Sequence, residues 1–134
     1  MGVFAVFVVA PTANGLFAAT TRAADRGEAG KIGLPGGKVD TGESLVSAAL
    51  RESAEEGWLI TGLESEPFHV ANVEGKPVAW FRATGATPLL EFKEKGRIQP
   101  VAVDKAAIAQ SGYGNDVMIL NYQGDKCNPT AVLT

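Results

Sequence analysis

Residues 37–59 read Gly37-Lys-Val-Asp-Thr-Gly-Glu43-Ser-Leu-Val-Ser-Ala-Ala-Leu-Arg51-Glu52-Ser-Ala-Glu55-Glu56-Gly-Trp-Leu59, and they hold four of the ten glutamates of this 134-residue chain. A helix over residues 44–58 turns about 100° per residue and places Glu52, Glu55 and Glu56 within an arc of about 100°. Like charges at these spacings repel one another and weaken an isolated helix by a few tenths of a kcal/mol per pair. A bound divalent cation would compensate for that repulsion.

The alternative interpretation of this acidic cluster is a solvated surface near a helix end. Negative charge in the last turn opposes the helix dipole, which favours cations at that end. Solvation alone is therefore a poor reason for the cluster. The apolar residues Val46, Ala49 and Leu50 form an adjoining stripe, which predicts that this helix face packs against a core and presents the carboxylates rigidly.

The scarcity of other ligands narrows the choice of metal. The chain has one histidine, His69, and one cysteine, Cys127, so zinc ligands of the imidazole or thiolate type cannot be assembled within one chain. Carboxylate oxygens select a hard cation, and Mg²⁺ is characteristically bound by a few carboxylates together with substrate phosphates. The composition favours Mg²⁺ or Mn²⁺ with a phosphorylated ligand.

The glutamate-rich segment resembles the Nudix box, written G-x5-E-x7-R-E-U-x-E-E-x-G-U with U an aliphatic residue. The preceding residues 34–38 look like the usual lead-in to that motif. Ser53 replaces an aliphatic residue, and Trp58 stands where the box has glycine, with Gly57 one place early. A left-handed glycine commonly ends a helix, so we expect the helix to stop one residue sooner and Trp58 to lie over the following strand. The matched positions are Gly37, Glu43, Arg51, Glu52, Glu55 and Glu56.

The resemblance implies roles for these residues. The backbone carbonyl of Gly37 and the side chains of Glu52, Glu55 and Glu56 would hold the metals, and Glu52 could instead act as general base. Glu43 and Arg51 would form a structural ion pair. The implied reaction is attack by water on a phosphorus of a nucleoside diphosphate linked to a group X, giving NMP and X-phosphate. Metal ions suit this reaction because they neutralise the pyrophosphate and lower the pKa of a bound water.

Further candidates lie outside the box. Many Nudix proteins supply an extra metal-ligating or basic glutamate from the loop that here precedes residues 98–103, where Glu94 and Glu91 compete and a surface role is equally open. The candidate catalytic carboxylates are thus Glu52, Glu55 and Glu94.

Candidate substrate-binding residues are cationic or amide side chains. Arg22 and Lys38 are positioned to grip phosphate, since a guanidinium can do so bidentately. Arg26 and Lys31 are further options, and a solvated surface role is the alternative for all four. Asn115 offers an amide for a base edge, although turn formation explains it equally well.

Length and composition predict one domain over residues 1–134. A net charge of −3 argues against a broad surface for a nucleic-acid polymer. The apolar run 3–10 is too short for a membrane span and lacks the basic start of a signal sequence, so it predicts a buried central strand. A lone cysteine agrees with a reducing, cytoplasmic location, and the chain is expected to act as a monomer or homodimer.

Local patterns predict the remaining elements. Residues 11–15 indicate a hairpin turn that joins the first strand to a partner strand at 16–22, and a short strand is expected at 31–34. Strands at 66–73 and 77–84 flank the turn at Glu74-Gly75. Asp104 is a plausible N-cap of a helix over 104–110, while residues 116–122 fit a strand or a helix. The resemblance implies an α/β fold, the Nudix-type α/β/α sandwich with a mixed central sheet.

The substrate is the least determined feature. Small Nudix enzymes that resemble the MutT type act on nucleoside triphosphates, including oxidised ones. The tyrosine that often marks dinucleoside polyphosphate hydrolases is missing 16 to 18 residues past the box, while Pro77 is slightly late for the proline of ADP-ribose enzymes, so ADP-ribose or another nucleotide sugar stays open. A domain that binds nucleotide without turnover is a further alternative, and His69 is expected to be structural. Aromatic residues for base stacking, or simply for the core, are Phe4, Phe7, Phe17, Trp80 and Tyr113.

Overall fold

A computed structural model describes residues 2–22, 31–104 and 106–107 of the chain. Within these residues the chain forms nine strands and one helix. Their bounds are β1 Ala5–Val9, β2 Phe17–Arg22, β3 Ile32–Gly33, β4 Gly36–Lys38, α1 Leu45–Glu55, β5 Trp58–Thr61, β6 His69–Val73, β7 Lys76–Arg82, β8 Gly85–Pro88 and β9 Ile98–Val103.

The strand β1 lies inside a four-stranded mixed sheet of order β4-β1-β7-β6. It pairs parallel with β7 and antiparallel with β4. Val6, Val8 and Val9 are fully buried, as expected for an apolar run that is covered on both faces of a sheet. The predicted buried central strand and the α/β class with a mixed sheet are both confirmed. Two smaller antiparallel sheets have the orders β3-β2-β9 and β5-β8.

The first predicted hairpin is only partly correct. The turn forms, with the Thr12 N–H donating to the Leu16 carbonyl at 2.7 Å and Gly15 in the left-handed region at φ 75°. However, β2 is not the sheet partner of β1. Both hydrogen-bonding edges of β1 are already taken by β4 and β7, so β2 leaves for another sheet, where it pairs along its whole length with β9.

The second predicted hairpin is confirmed as the antiparallel pair β6–β7. Its turn has positive φ at both Glu74 (52°) and Gly75 (83°), which is the geometry that matches the right-handed twist of the flanking strands. Both strands are shorter than predicted. The expected short strand at 31–34 is likewise reduced to the two residues of β3.

The helix α1 starts at a serine cap, since the Ser44 hydroxyl accepts the Ser47 N–H at 3.1 Å. It ends at Glu55, with Glu56 as the C-cap and Gly57 at φ 100°. The predicted range 44–58 is therefore too long at both ends, while the expected early stop at Gly57 is confirmed. Trp58 opens β5 and donates its indole N–H to the Ala19 carbonyl at 2.7 Å, which ties β5 to β2.

Helix α1 packs one face of the main sheet. Ala48 and Ala49 are fully buried in a cluster that includes Val6, Val8 and Phe81. Leu50 was expected to share this buried stripe, but it is 40% exposed, because the buried face of α1 is centred on Ala48, Ala49 and Ser53. The opposite face of the sheet carries a second cluster that includes Val78 and Trp80.

Several expectations fall at the end of the chain. The Ala107 N–H donates to Asp104 Oδ1 at 2.9 Å, which confirms the predicted N-cap. Beyond Asp104, the predicted helix over 104–110 is described only at residues 106–107, which are helical. Residues 108–122, with Tyr113 and Asn115 among them, and Arg26 lie outside the described residues. In the part of the chain that the structure describes, no helix is long and apolar enough to cross a membrane.

Candidate functional site

Strand β4 and the end of helix α1 meet at two glycines. The Gly36 N–H donates to Glu56 Oε1 at 3.1 Å, and a Cβ at Gly37 would overlap the Glu52 carboxylate. Gly36 itself lies at φ 152°, and a Cβ there would overlap the Val6 carbonyl oxygen. The paired glycines therefore allow the backbone of β4 to approach both carboxylates, which side chains at these positions would prevent.

Arg51 connects the loop before α1 to the helix. Its Nε and Nη2 donate to the two carboxylate oxygens of Glu43 at 2.7 and 2.9 Å, which is the bidentate geometry of a strong arginine–carboxylate pair. Nη2 also donates to the Lys38 carbonyl at 3.1 Å. The predicted ion pair between Glu43 and Arg51 is confirmed, and it fastens the loop over the helix.

The remaining nitrogen of Arg51 faces the helical carboxylates. Nη1 lies 3.1 Å from Glu52 Oε2 and 3.3 Å from Glu55 Oε2. Glu52 and Glu55 share this guanidinium, while Glu56 accepts from the Gly36 N–H. In the described ranges, no group of three acidic, histidine or cysteine side chains is arranged to hold a metal ion. The candidate ligand atoms on these side chains are all carboxylate oxygens, which are the ligands that a hard divalent cation prefers.

Burial and neighbouring charges set the protonation of these groups. Burial raises the pKa of Glu56 to about 8, against the Gly36 N–H that lowers it, and the negative charges of Glu52 and Glu94 raise it further. Burial also raises the pKa of Glu52, although Arg51 opposes the shift. Burial disfavours the ionised form of both carboxylates, and a nearby cation would favour it.

A cavity of about 450 Å³ adjoins these carboxylates. Glu52 and Glu56 line it, and so do the cations Arg22, Lys31 and Lys38. Residues of opposite charge thus share one concave surface. A ligand that carries phosphates and a divalent cation would satisfy both sets.

The same cavity has an apolar wall. Phe7, Val73, Val78 and Trp80 contribute to its lining. Phe7 and Trp80 are register partners on adjacent parallel strands, and their ring centroids lie 6.2 Å apart. An apolar wall with aromatic rings suits a flat, weakly polar group of a small ligand.

The predicted site residues divide into those that line the cavity and those that lie beside it. Gly37, Glu52, Glu56, Arg22 and Lys38 all line the cavity.

Glu55 and Glu94 lie beside this cavity rather than in its lining, at the helix end. The Glu94 N–H donates to the Glu55 carbonyl at 2.8 Å, and the Glu94 carboxylate lies 3.6 Å from Arg97 Nη1. Asn115 lies outside the described residues. Of the aromatic candidates, Phe4 and Phe17 are partly buried and pack against the second core cluster.

Sequence reasoning missed residues brought to the site by strand pairing. Thr20 and Ile98 line the cavity, and Ile98 is there because it pairs with Arg22 in the β2–β9 ladder. Lys93 was also missed, and its Nζ lies 3.8 Å from Glu55 Oε2. The adjacent glycines at 36 and 37 were the available signal for a close backbone approach.

Comparison with known proteins identifies the family of the chain. The family model described as the NUDIX domain matches residues 2–102. The chain belongs to the Nudix family. It is accordingly a hydrolase that acts on phosphoric anhydride bonds, a class that generally uses divalent metal ions. No curated protein matches the chain.

Solved structures share the fold of this Nudix protein. A structure of MutT, from work on the Aliivibrio salmonicida and Vibrio cholerae proteins, is 20% identical with a TM-score of 0.64 and covers 97% of this chain and 95% of that chain. The MutT Nudix hydrolase of Burkholderia pseudomallei is 21% identical with a TM-score of 0.67, covering 90% and 97%. An ADP compounds hydrolase is 20% identical with a TM-score of 0.69, covering 92% and 73%. These likenesses confirm the Nudix-type sandwich.

Proposed function

We propose that this Nudix hydrolase is a Mg²⁺- or Mn²⁺-dependent pyrophosphohydrolase of nucleoside triphosphates, which converts an NTP or dNTP, oxidised nucleotides included, to NMP and pyrophosphate. The observation that carries the proposal is the cavity. Its lining combines the carboxylates Glu52 and Glu56, the cations Arg22 and Lys38, and an apolar wall that contains Trp80.

The proposed metal ligands are the carbonyl oxygen of Gly37 and the carboxylates of Glu52, Glu55 and Glu56. Their oxygen chemistry and the close approach of Gly37 to Glu52 support this set. When bound, the metal would neutralise phosphate charge and lower the pKa of a bound water.

Each remaining group has a role in binding or proton transfer. Arg22 and Lys38 would hold the phosphates, and Asn115 would contact the base. Glu52 would bind the metal or, as its alternative role, take the proton of the attacking water. The water oxygen forms a bond to phosphorus as the bond to the bridging oxygen breaks, and pyrophosphate leaves. Glu55 and Glu94 are the alternative proton acceptors.

ADP-ribose and related ADP compounds form a second substrate class to be tested in the same assay. One similar structure is described as an ADP compounds hydrolase. The sequence also keeps ADP-ribose as an alternative substrate, because Pro77 lies close to the position of the proline of ADP-ribose enzymes. In the structure Pro77 contributes to a different cavity, together with Phe4 and Lys76. This separation from Glu52 and Glu56 favours the nucleoside triphosphate.

The test is a panel of dNTPs, oxidised dNTPs, ADP-ribose and dinucleoside polyphosphates with Mg²⁺, scored for release of phosphate or pyrophosphate. We expect a triphosphate to be turned over best. Glu55→Gln keeps the shape of the side chain but removes its charge, so metal affinity and turnover should fall together by about one to two orders of magnitude or more. The matched control Glu66→Gln alters an exposed glutamate and should leave both unchanged.

Two results would contradict the proposal. Preferred turnover of ADP-ribose would move the substrate to that class. Nucleotide binding without turnover of any member would identify a binding module instead.

A further inference from the structure

The loop between β8 and β9 is fastened to the end of helix α1 by its backbone. The Leu89 N–H donates to the Gly57 carbonyl, and the Glu94 N–H donates to the Glu55 carbonyl, both at 2.8 Å. These bonds hold the loop against the helix on both sides of Lys93. The backbone therefore presents the side chain of Lys93 beside the carboxylates at the helix end.

The loop carries three cations, and two of them pair with acidic residues of the same loop. Lys95 Nζ donates to the Leu90 carbonyl and to Glu91 Oε2, both at 2.9 Å. Arg97 Nη1 lies 3.6 Å from Glu94 Oε1. Neither of these side chains faces a carboxylate of the helix.

Lys93 is the third cation, and it faces the helix. Its Nζ lies 3.8 Å from Glu55 Oε2, and its side chain is 70% exposed. This is the single ion pair of Lys93 among the described residues, and its length is beyond the range of a hydrogen bond. An exposed pair of this kind contributes little to stability. Glu55 Oε2 also accepts from Arg51 Nη1 at 3.3 Å, so Lys93 can leave that oxygen without leaving it unpaired.

The cations of the cavity form a separate set. Arg22 and Lys38 share its lining with Glu52, whereas Glu55 and Lys93 lie beside that lining. A triphosphate whose base rests on the apolar wall would meet Arg22 and Lys38 with its first phosphates. The remaining phosphates would approach the helix end, because a cation held by Glu55 is shared with them. Lys93 is the cation of the loop that is placed to meet these terminal phosphates.

We propose that Lys93 binds the terminal phosphates of the substrate and thereby makes the enzyme prefer a nucleoside triphosphate to the corresponding diphosphate. The ammonium has three donors and no acceptor, so it can leave Glu55 and donate to phosphate oxygens. A cation at Glu55 repels the ammonium, while phosphate charge attracts it. The same contact neutralises charge on the departing pyrophosphate. The inference rests on the proposed function, from which it takes the nucleotide and the metal ligand Glu55.

The test measures binding without turnover. The probes are the α,β-methylene analogues of the triphosphate that is turned over best and of its diphosphate, since they lack the bridging oxygen at the bond that the proposed reaction breaks. Dissociation constants are measured by titration calorimetry with Mg²⁺. Lys93→Met should bind the triphosphate analogue about tenfold more weakly than wild type, the lower end for a hydrogen bond to a charged group. It should bind the diphosphate analogue as wild type does, and Lys93→Arg should keep most of the preference.

Lys95→Met is the matched control, because it removes the same charge from the same loop but from a side chain that is engaged with Glu91. It should leave both dissociation constants unchanged. An equal loss in Lys95→Met would show an effect of the net charge of the loop. An equal loss of both analogues in Lys93→Met would show that Lys93 acts on the metal site or the fold instead. Either result, or wild-type affinities in Lys93→Met, would overturn the inference.

Two further outcomes separate the role of Lys93 from the proposed function. A wild type that turns over nucleotides but binds both analogues equally well would overturn the role of Lys93 and leave the pyrophosphohydrolase in place. A wild type that binds neither analogue and turns over no nucleotide would overturn the proposed function, and the inference with it. Because Lys93 is exposed, both of its variants should fold, and thermal melts in EDTA that match wild type check this.

Discussion

The Gly36 N–H donates to Glu56 Oε1 at 3.1 Å, and this bond joins the strand before the box loop to the cap of helix α1. It is the only hydrogen bond to the Glu56 carboxylate that the described residues show, and the carboxylate is otherwise buried beside Glu52 and Glu94. One neutral donor does not offset that burial, so the pKa of Glu56 rises to about 8. At neutral pH the metal-free protein therefore favours a protonated Glu56.

This shift predicts how the stability of the metal-free protein depends on pH. The pKa of Glu56 is about 8 in the folded chain against an ordinary 4.5, so the folded state holds the proton more tightly. Its contribution is fully present below pH 4.5 and is lost as the pH rises towards 8. Thermal melts in EDTA from pH 5 to 8 should show stability falling in wild type and falling less in Glu56→Gln. An identical slope in both proteins would refute the assignment, and Glu66→Gln should retain the wild-type slope.

Glu43 has the opposite pH dependence. The hydrogen bonds from Arg51, and then the backbone N–H of Asp40, lower the pKa of Glu43 to about 2. The stability that it contributes is therefore present above pH 4.5 and is lost as the pH falls towards 2. Glu43→Gln should melt several degrees below wild type at pH 7 in EDTA, and the two melting curves should converge in acid. A constant gap down to pH 2 would mean that the carboxylate charge is not what stabilises the loop.

The substitution Glu52→Gln should have the opposite effect on stability to Glu43→Gln. Burial raises the pKa of Glu52 despite its bond to Arg51, so its ionised form is held at a cost in the metal-free protein. Glu52→Gln should abolish turnover in Mg²⁺ while leaving the melting temperature in EDTA unchanged or raised. Steady-state kinetics and melts on the same preparation measure both. A variant that melts markedly lower yet keeps its activity would show that Glu52 is structural.

Ser53 offers a test of packing at the one box position where a polar residue replaces an aliphatic one. It is fully buried, and its hydroxyl has no hydrogen-bond partner within the described ranges. A buried hydroxyl without a partner costs about 1 to 3 kcal/mol. Ser53→Ala should therefore raise the free energy of unfolding by about 1 kcal/mol, measured by urea denaturation, with no change in kcat. The matched control Ser47→Ala, on the exposed side of α1, should be neutral, and a loss of stability in Ser53→Ala would reveal a partner for the hydroxyl.

Local spacing explains why the acidic part of the site was predictable from sequence. Helical periodicity places Glu52 and Glu55 on one face, and Gly57 predicts where the helix ends. The pair of Glu43 and Arg51 was implied by the resemblance to the Nudix box. These features depend on residues close in the chain, where the backbone geometry leaves few alternatives.

Non-local pairing explains why the rest was not predictable. Ile98 reaches the cavity because it pairs with Arg22. The residue pattern of neither strand indicates that β2 pairs with β9 rather than with β1. The division of Arg51 between Glu43 and the helical carboxylates depends on side-chain rotamers, which the spacing of charges does not encode. The exposure of Leu50 likewise depends on how α1 packs against the sheet, where Ala48, Ala49 and Ser53 are the buried residues.

Gly37→Ala tests whether the close approach of β4 to the helix serves the chemistry. Gly37 has ordinary backbone geometry, but its added Cβ would overlap the Glu52 carboxylate. The fold can respond by turning Glu52 away, and a displacement of about 1 Å in a catalytic group costs on the order of a hundredfold in rate. We expect kcat to fall by about that factor while the melting temperature in EDTA changes little. The control Gly2→Ala adds a Cβ that meets nothing within 4 Å and should be silent in both assays. Wild-type kcat in Gly37→Ala would show that Glu52 works equally well from another position, and the close approach at Gly37 would then have no part in catalysis.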